Sequence, residues 1–180
     1  LKRKGTLTLL ALFFWVGGYA QHNSFELTPK QIDSLIKVTT VKKEHADRFA
    51  HLVIQDEDGR MKPINTFASE LLRKVSKADT FRGLDANQVF LSMLLNRQLW
   101  YNVDFFYIKK DNDSLHKILG VEKGLKRVRA LDFLDQEYNN KLNPYLVEAY
   151  STSNPNQFQK EFKEVDMKMH LLERALSGSM

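Results

Sequence analysis

The side chains with the widest chemical repertoire here are five histidines, His22, His45, His51, His116 and His170. No two are spaced as H-x-x-x-H or H-E-x-x-H, the patterns that bring two imidazoles to one helix face for zinc. Asp166 and His170 stand four apart, with Glu173 three further on, so a helix would carry all three on one face. Such a cluster can ligate a metal. Opposite an apolar stripe it is more often the solvated face of an amphipathic helix, and that reading is preferred. No metal site is assigned. Serine, histidine and aspartate all occur, but without G-x-S-x-G, a Walker loop or G-x-G-x-x-G. A hydrolase therefore has no positive support, and no catalytic residue is assigned.

Two further groups could bind a ligand. Arg60 and Lys62 follow the dipeptide Asp58-Gly59 and could pair with carboxylates. The competing reading is a solvated edge strand guarded by charge. Trp100, Tyr101, Phe105, Phe106 and Tyr107 could line an apolar pocket, but large aromatics dominate core burial, and a core is the preferred reading. The chain has no cysteine, which removes disulfides, thiolate metal sites, lipoprotein attachment and C-x-x-C-H haem attachment.

The elements that must position these residues are mostly helical. Residues 45–74 read as a strand, a two-residue turn at Asp58-Gly59, a basic return strand closed by Pro63, and a helix capped by Thr66. Leu52 and Ile54 fall on one strand face. Gly59 takes the positive φ of the turn. Phe67, Leu71, Leu72 and Val75 face inward. Thr28-Pro29-Lys30-Gln31 supplies an N-cap, a proline at N1 and a capping-box glutamine for a helix with Ile32, Leu35 and Ile36 on its apolar face. Asp85-Ala86-Asn87-Gln88 opens another in the same style, with Val89, Phe90, Met93 and Leu94 inward. Residues 103–108 are an aromatic and β-branched strand. A short helix from Asp113 ends at Gly120, and 123–129 is a basic segment. Asn143-Pro144 and Asn154-Pro155 are two more cap-plus-proline starts. Behind the second, Phe158, Phe162, Val165, Met169, Leu172 and Leu176 recur at spacings of four, three, four, three and four. The run is short for a coiled coil. One face packed on the core is preferred, and a stripe facing a partner helix stays open. The fold class is mainly α with a small β-hairpin (α+β), in several packed helices.

Net charge is +5, from 27 Lys and Arg against 22 Asp and Glu. Lys2, Arg3 and Lys4 supply three of those charges before any acid appears. The pI of about 9.3 thus reflects a basic tip more than a basic folded face, and no nucleic-acid partner is expected. That tip precedes the apolar run 6–16 and Gly17-Gly18-Tyr19-Ala20, the order of a secretory signal. A membrane anchor is the rival. Thr6 to Ala20 rises only about 22 Å as a helix, against a hydrocarbon core of roughly 30 Å. Residues 1–20 are accordingly a signal-like or transmembrane segment. Residues 21–180 are expected to form a single extracytoplasmic domain, since positive charge stays inside. The sequence starts at Leu1 rather than methionine, so a piece of a longer protein is expected.

The stretch from His45 onward, H-A-x-x-F-x-x-L-x-x-Q-D-x-x-G-R-x-K-P-x-N-T-x-A-S-E-x-L-R-K, resembles system II cytochrome c biogenesis proteins. More narrowly it resembles the fused cytochrome c synthases of Bacteroidetes, which join a ResB/CcsB-like half to a CcsA-like half. Gly83-Leu84, Gln88-Val89-Phe90-Leu91, Met93-Leu94, the run Phe105-Phe106-Tyr107-Ile108-Lys109 and the terminal Ser177-Gly178-Ser179 fit as well. The likeness covers 45–109 well and 143–180 loosely. It departs at Val165-Asp166-Met167-Lys168-Met169, where the family usually reads V-D-E-R-V-N.

The resemblance implies haem export and attachment of haem to apocytochrome c outside the cytoplasmic membrane. In that family the chemistry belongs to histidines of transmembrane helices and to a tryptophan-rich motif of the CcsA half. The only tryptophans here are Trp15 and Trp100. The implied role is therefore an extracytoplasmic scaffold, or a chaperone surface for apocytochrome or haem, on the outer side of the cell membrane. Whether the whole protein is a haem lyase is left open, and catalytic residues are expected elsewhere than in this chain. Haem would enter through the membrane half and not bind tightly here. The candidates for touching it, its propionates included, are His45, His51, Arg60 and Lys62. Gly59, Pro63 and Thr66 are the structural signature. The implied partners are the membrane, transmembrane segments of the same protein, and apocytochrome c. The alternative is a stand-alone secreted binding domain with a cleaved signal.

Overall fold

A computed structural model describes residues 27–56 and 58–179. The segment 1–20 and His22 lie outside the described residues. Helix accounts for 58 % of the structure, against two small antiparallel sheets of two strands each, so the mainly α expectation holds.

Helix α1 (Pro29–Thr39) begins where the sequence indicates: the Thr28 hydroxyl and the Gln31 side chain form a reciprocal capping box. Its Ile32 and Ile36 are buried, while Leu35 stays exposed. Arg82, in the turn before the next core helix, pairs with both Asp33 of α1 and Asp104. This clamps α1 to the rest of the domain.

Helix α2 (Lys43–Ala50) corrects the reading of a strand from His45. Its buried face is only Ala46 and Ala50, four apart, which lets the backbone approach helix α4 (Ala86–Leu95). Lys43 pairs with Asp85, the N-cap of α4, at 2.5 Å, and the Asn87 amide donates to Asp47 at 2.9 Å to complete the contact. The β-branched pair Val53-Ile54, the strand signal, comes only after this helix.

Strands β1 (Val53–Gln55) and β2 (Met61–Pro63) form the expected hairpin, in register Val53↔Pro63, Ile54↔Lys62 and Gln55↔Met61. Ile54 packs against the core, but Leu52 lies before the strand and is exposed. The turn is not the two-residue type. The Gly59 amide donates to the Asp56 carbonyl at 2.9 Å, and the Asp56 amide to the Arg60 carbonyl at 2.8 Å. With Gly59 at φ +78°, this is the longer loop in which a turn is followed by a left-handed glycine. Gly59 keeps its predicted positive φ but occupies the last loop position.

Helix α3 (Ile64–Leu71) starts two residues before the predicted cap. Pro63 is its N-cap, and Thr66 sits exposed within the first turn. Proline ends the ladder and supplies a backbone already set for helix entry. The helix runs on as a π turn over Leu72–Ser76, closed by Lys77 in the left-handed region at φ +56°. The wider turn keeps Leu71, Leu72, Val75 and Ser76 all inside, and Phe67 is buried as expected.

Helix α4 has the predicted Asp85–Gln88 capping box. Val89, Phe90, Leu91, Ser92 and Met93 are all buried, the pattern of an interior helix. It contacts α2, α3 and two helices that follow, α5 (Arg97–Tyr101) and α8 (Gln157–Ser177). Trp100, Phe105 and Phe106 are core residues and line no cavity, while Tyr101 of the same run reaches the groove described below. Trp100 and Phe105 meet edge-to-face with centroids 5.6 Å apart. The Trp100 indole N–H donates to the Ser92 hydroxyl at 3.0 Å.

A second sheet was not anticipated. Of residues 103–108 only β3 (Phe106–Tyr107) is strand, and it pairs antiparallel with β4 (Arg127–Val128) from the basic segment. Between them α6 (Asp113–Leu119) ends at Gly120 as predicted. Buried His116 spans the Asn112 and Leu125 carbonyls at 2.6 and 2.8 Å, a structural use of this imidazole.

The last two helices pack against each other. Helix α7 (Asn143–Ser151) has Leu142 as N-cap, so Asn143 and Pro144 are its first two helical residues. Helix α8 is capped by Asn156 with Gln159 in a capping box, not by Asn154. Asn154 and Asn156 each have a glutamine three residues on, Gln157 and Gln159, and the structure uses the second pair. Phe162, Val165, Met169, Leu172 and Leu176 of the stripe are buried in the domain core, as the preferred reading held; Phe158 remains partly exposed.

Where α7 and α8 meet, the Tyr150 hydroxyl donates to the Asp166 carboxylate at 2.8 Å. Burial first, then that bond, pushes the phenol up to about 12 from its ordinary 10.0. The folded state keeps a proton that the unfolded chain releases above its own value. This contribution is therefore complete below pH 10 and is lost as pH rises toward 12. A spectrophotometric titration of wild type should show one phenol ionising last, and Tyr150→Phe should delete that step. An unchanged last step would mean that the Tyr150–Asp166 bond is absent in solution.

Candidate functional site

The hairpin, α3 with its π turn, α5 and the second half of α8 enclose an open groove of about 1260 Å³. The local sequence explains each wall. The hairpin loop is fixed by the Asp56 carboxylate, which accepts the Asp58 and Arg60 amides at 3.1 and 2.8 Å. The Arg60 amide, and then Lys62, hold this carboxyl below the usual range. The Arg60 guanidinium, 76 % exposed, lies 2.6 Å from Asp58 on the rim. Lys62, on the opposite strand face, is only 24 % exposed and sits 3.3 Å from Asp56 and 3.5 Å from Glu70. Glu70 is on α3. Its carboxyl is lowered chiefly by Lys74, at 2.5 Å, against an opposing effect of burial.

The far wall is α8. Glu164, Met167, Lys168, Leu171 and Arg174 form a stripe beside the core stripe, so the helix serves core and groove at once. Lys168 lies 2.6 Å from Glu164 and lowers its carboxyl. His170 faces Asp166 at 3.6 Å and Glu173 at 3.8 Å. Asp166 is already taken by Tyr150. Among the described residues no three His, Asp or Glu side chains are grouped to hold a metal ion. At the groove's end, Tyr101 of α5 lies under Arg97 at 5.8 Å, and Arg174 lies 5.9 Å from the Phe67 ring.

Of the sequence candidates, the structure brings Arg60 and Lys62 to this groove and leaves His45 and His51 out of it. His45 is exposed on α2, and the His51 ring contacts the Asp47 carbonyl at 2.7 Å. Sequence reasoning missed Lys74, Lys77, Arg97, Lys168 and Arg174 as groove residues. The α8 part had a signal: Glu164, Met167, Leu171 and Arg174 recur at spacings of three, four and three. The arrangement can bind a ligand. It offers charged hydrogen-bond donors over an apolar strip.

No protein-family model matches this chain. A search of curated proteins finds similarity to Protein NrfI of Wolinella succinogenes, 31 % identical over 141 residues. The match takes in 77 % of this chain and 15 % of that protein, so the chain spans under a sixth of the relative's length. Among the described residues, no helix is long and apolar enough to cross a membrane.

Proposed function

We propose that this chain is an extracytoplasmic segment of a membrane-bound protein that matures c-type cytochromes, serving as a scaffold or as a chaperone surface for apocytochrome or haem. The similarity to NrfI supports a role in cytochrome c maturation. The narrower assignment, a fused ResB/CcsB–CcsA synthase, rests on the signature. The observation that carries the site is that two signature cations, Arg60 and Lys62, stand in the wall of the charged groove. In this reading the groove is the working surface, and the haem chemistry lies in other segments of the protein.

Arg60→Ala tests it. Arg60 is exposed and bonds only to carboxylates of its own loop, so the variant should fold with little loss of stability. In cells depending on the full-length protein, it should lower the amount of haem-bearing cytochrome c several-fold. Equal maturation by wild type and variant would reduce Arg60 to an edge guard. A reporter placed after residue 180 should be active only outside the cytoplasm; activity inside would sink the reading. Haem added to the purified chain should bind weakly or not at all. Tight stoichiometric binding lost in His45→Ala or His51→Ala would move haem chemistry into this segment.

A further inference from the structure

The ion pairs of the groove leave cations over. Among the described residues, four groove carboxylates are each held by a groove cation, Asp56 by Lys62, Asp58 by Arg60, Glu70 by Lys74 and Glu164 by Lys168, and Glu173 has the His170 ring at 3.8 Å. Among the described residues Arg97 has no carboxylate within ion-pair distance, and it rests on the ring of Tyr101. Lys77 reaches Glu164 only at 4.0 Å, while Lys168 holds the same oxygen at 2.6 Å. Lys77 also ends a π turn in the left-handed backbone region, two uncommon features at one groove residue. Beside these cations Tyr101 and Leu171 are half-buried, and Met167 is exposed.

We propose that the groove binds a polypeptide segment whose carboxylates pair with Arg97 and Lys77 while its apolar side chains cover Tyr101, Met167 and Leu171. The inference rests on the maturation reading only in taking this groove as the working surface; the ligand class comes from the groove's own chemistry. Its volume exceeds the roughly 300–1,000 Å³ of small-molecule pockets and leaves room for a stretch of chain. The exposed carboxylates of Asp58 and Glu173 stand on the same surface. They oppose an anionic bilayer or a phosphate backbone, both of which favour a uniformly basic face. A peptide meets the mixed pattern by placing its acids only where the cations are unmatched. A methionine suits a surface that must adapt to side chains of several shapes.

The test uses the 180-residue chain and a fluorescein-labelled, water-soluble peptide with glutamates flanking a leucine pair. Its glutamine counterpart, and vesicles of phosphatidylcholine and phosphatidylglycerol in equal parts, are the other arms. The acidic peptide should bind by anisotropy, and the glutamine peptide about ten-fold more weakly, as expected for two exposed ion pairs. Arg97→Gln and Lys77→Gly should each weaken the acidic peptide up to about five-fold, the upper value for one such pair. Glycine suits the backbone at position 77, so Lys77→Gly should melt no lower than wild type, and weaker binding is then not misfolding. Equal affinity for both peptides, or no change in either variant, overturns the proposal. So does binding to vesicles but to neither peptide, which would make the groove a bilayer-facing surface. The two readings fail separately. Acid-dependent peptide binding in a protein whose groove variants still mature cytochromes leaves the ligand class standing and removes the maturation role. Loss of maturation in Arg60→Ala without acid-dependent binding does the reverse.

Discussion

Trp100→Ala should lower the stability of the domain by about 3–5 kcal/mol, the usual cost of emptying a large aromatic site in a core. The side chain is 1 % exposed and stands between Ser92 of α4 and the rings of Phe81 and Phe105. Its ring meets Phe105 edge-to-face and lies 6.0 Å from Phe81, while Phe81 and Phe105 meet each other at 5.1 Å. Removing the indole takes the common member from this trio and leaves the Ser92 hydroxyl unpartnered inside the fold. Single domains are stable by only about 5–15 kcal/mol, so the variant should unfold at a much lower urea concentration than wild type, followed by circular dichroism. Trp100→Phe should recover most of the packing and lose the hydrogen bond, at about 1–3 kcal/mol for the orphaned partner. A cost below about 1 kcal/mol for Trp100→Ala would mean that the aromatics border an accessible pocket, the reading rejected above.

The parts of this fold that were legible were those in which a side chain bonds its own backbone. Thr28 with Gln31 and Asp85 with Gln88 announce helix starts because the capping box is a local chemical event. For α8 the same logic offers two starts, Asn154 with Gln157 and Asn156 with Gln159; Asn154 was preferred because proline follows it, and the helix starts from Asn156. Helix α2 was missed because Lys42 makes no side-chain cap and the buried face is two alanines, which carry almost no apolar periodicity. The β3–β4 ladder was missed because each strand has two residues and the partners lie about twenty apart in sequence. Pairing across that distance is decided by what packs on the strands, here Phe106 on Phe133 with centroids 4.7 Å apart.

The groove shows the same division. Arg60 and Lys62 could be named from the sequence because they flank a turn signal. Lys77 and Arg97 could not, because their meeting depends on how α3, α5 and α8 pack together. Charge segregation at the site follows from that packing. Lys62 is placed among carboxylates from its own loop and from α3, and Lys168 beside Glu164 of its own helix. Of the cations left over, Lys77 meets only a glutamate already held by Lys168, and Arg97 has no carboxylate within ion-pair distance among the described residues. A site assembled this way is invisible to spacing rules and visible to a tally of which charges find partners.

Gly59→Val should be the most damaging change in the hairpin, at about 1–3 kcal/mol for a β-branched residue forced to positive φ. The reason is conformational, not steric. A Cβ at this position would meet the Gln55 amide nitrogen at 3.7 Å, an ordinary contact, so space is available. What is lacking is a backbone state, since φ is +78° and a valine there resists it. The expected order of stability is therefore Gly59 first, then Gly59→Asn, Gly59→Ala and Gly59→Val, because asparagine tolerates the left-handed region better than alanine. The damage should reach the groove, because the loop that sets Gly59 also aims Arg60: the Arg60 amide bonds Asp56, and the Arg60 carbonyl receives the Asp56 amide. Gly59→Asn should keep both the fold and cytochrome maturation in the full-length protein. Gly59→Val should lose maturation along with urea stability. If valine proved as stable as asparagine, the loop in solution would not hold its glycine at positive φ, and the hairpin would be the two-residue type that the sequence first suggested.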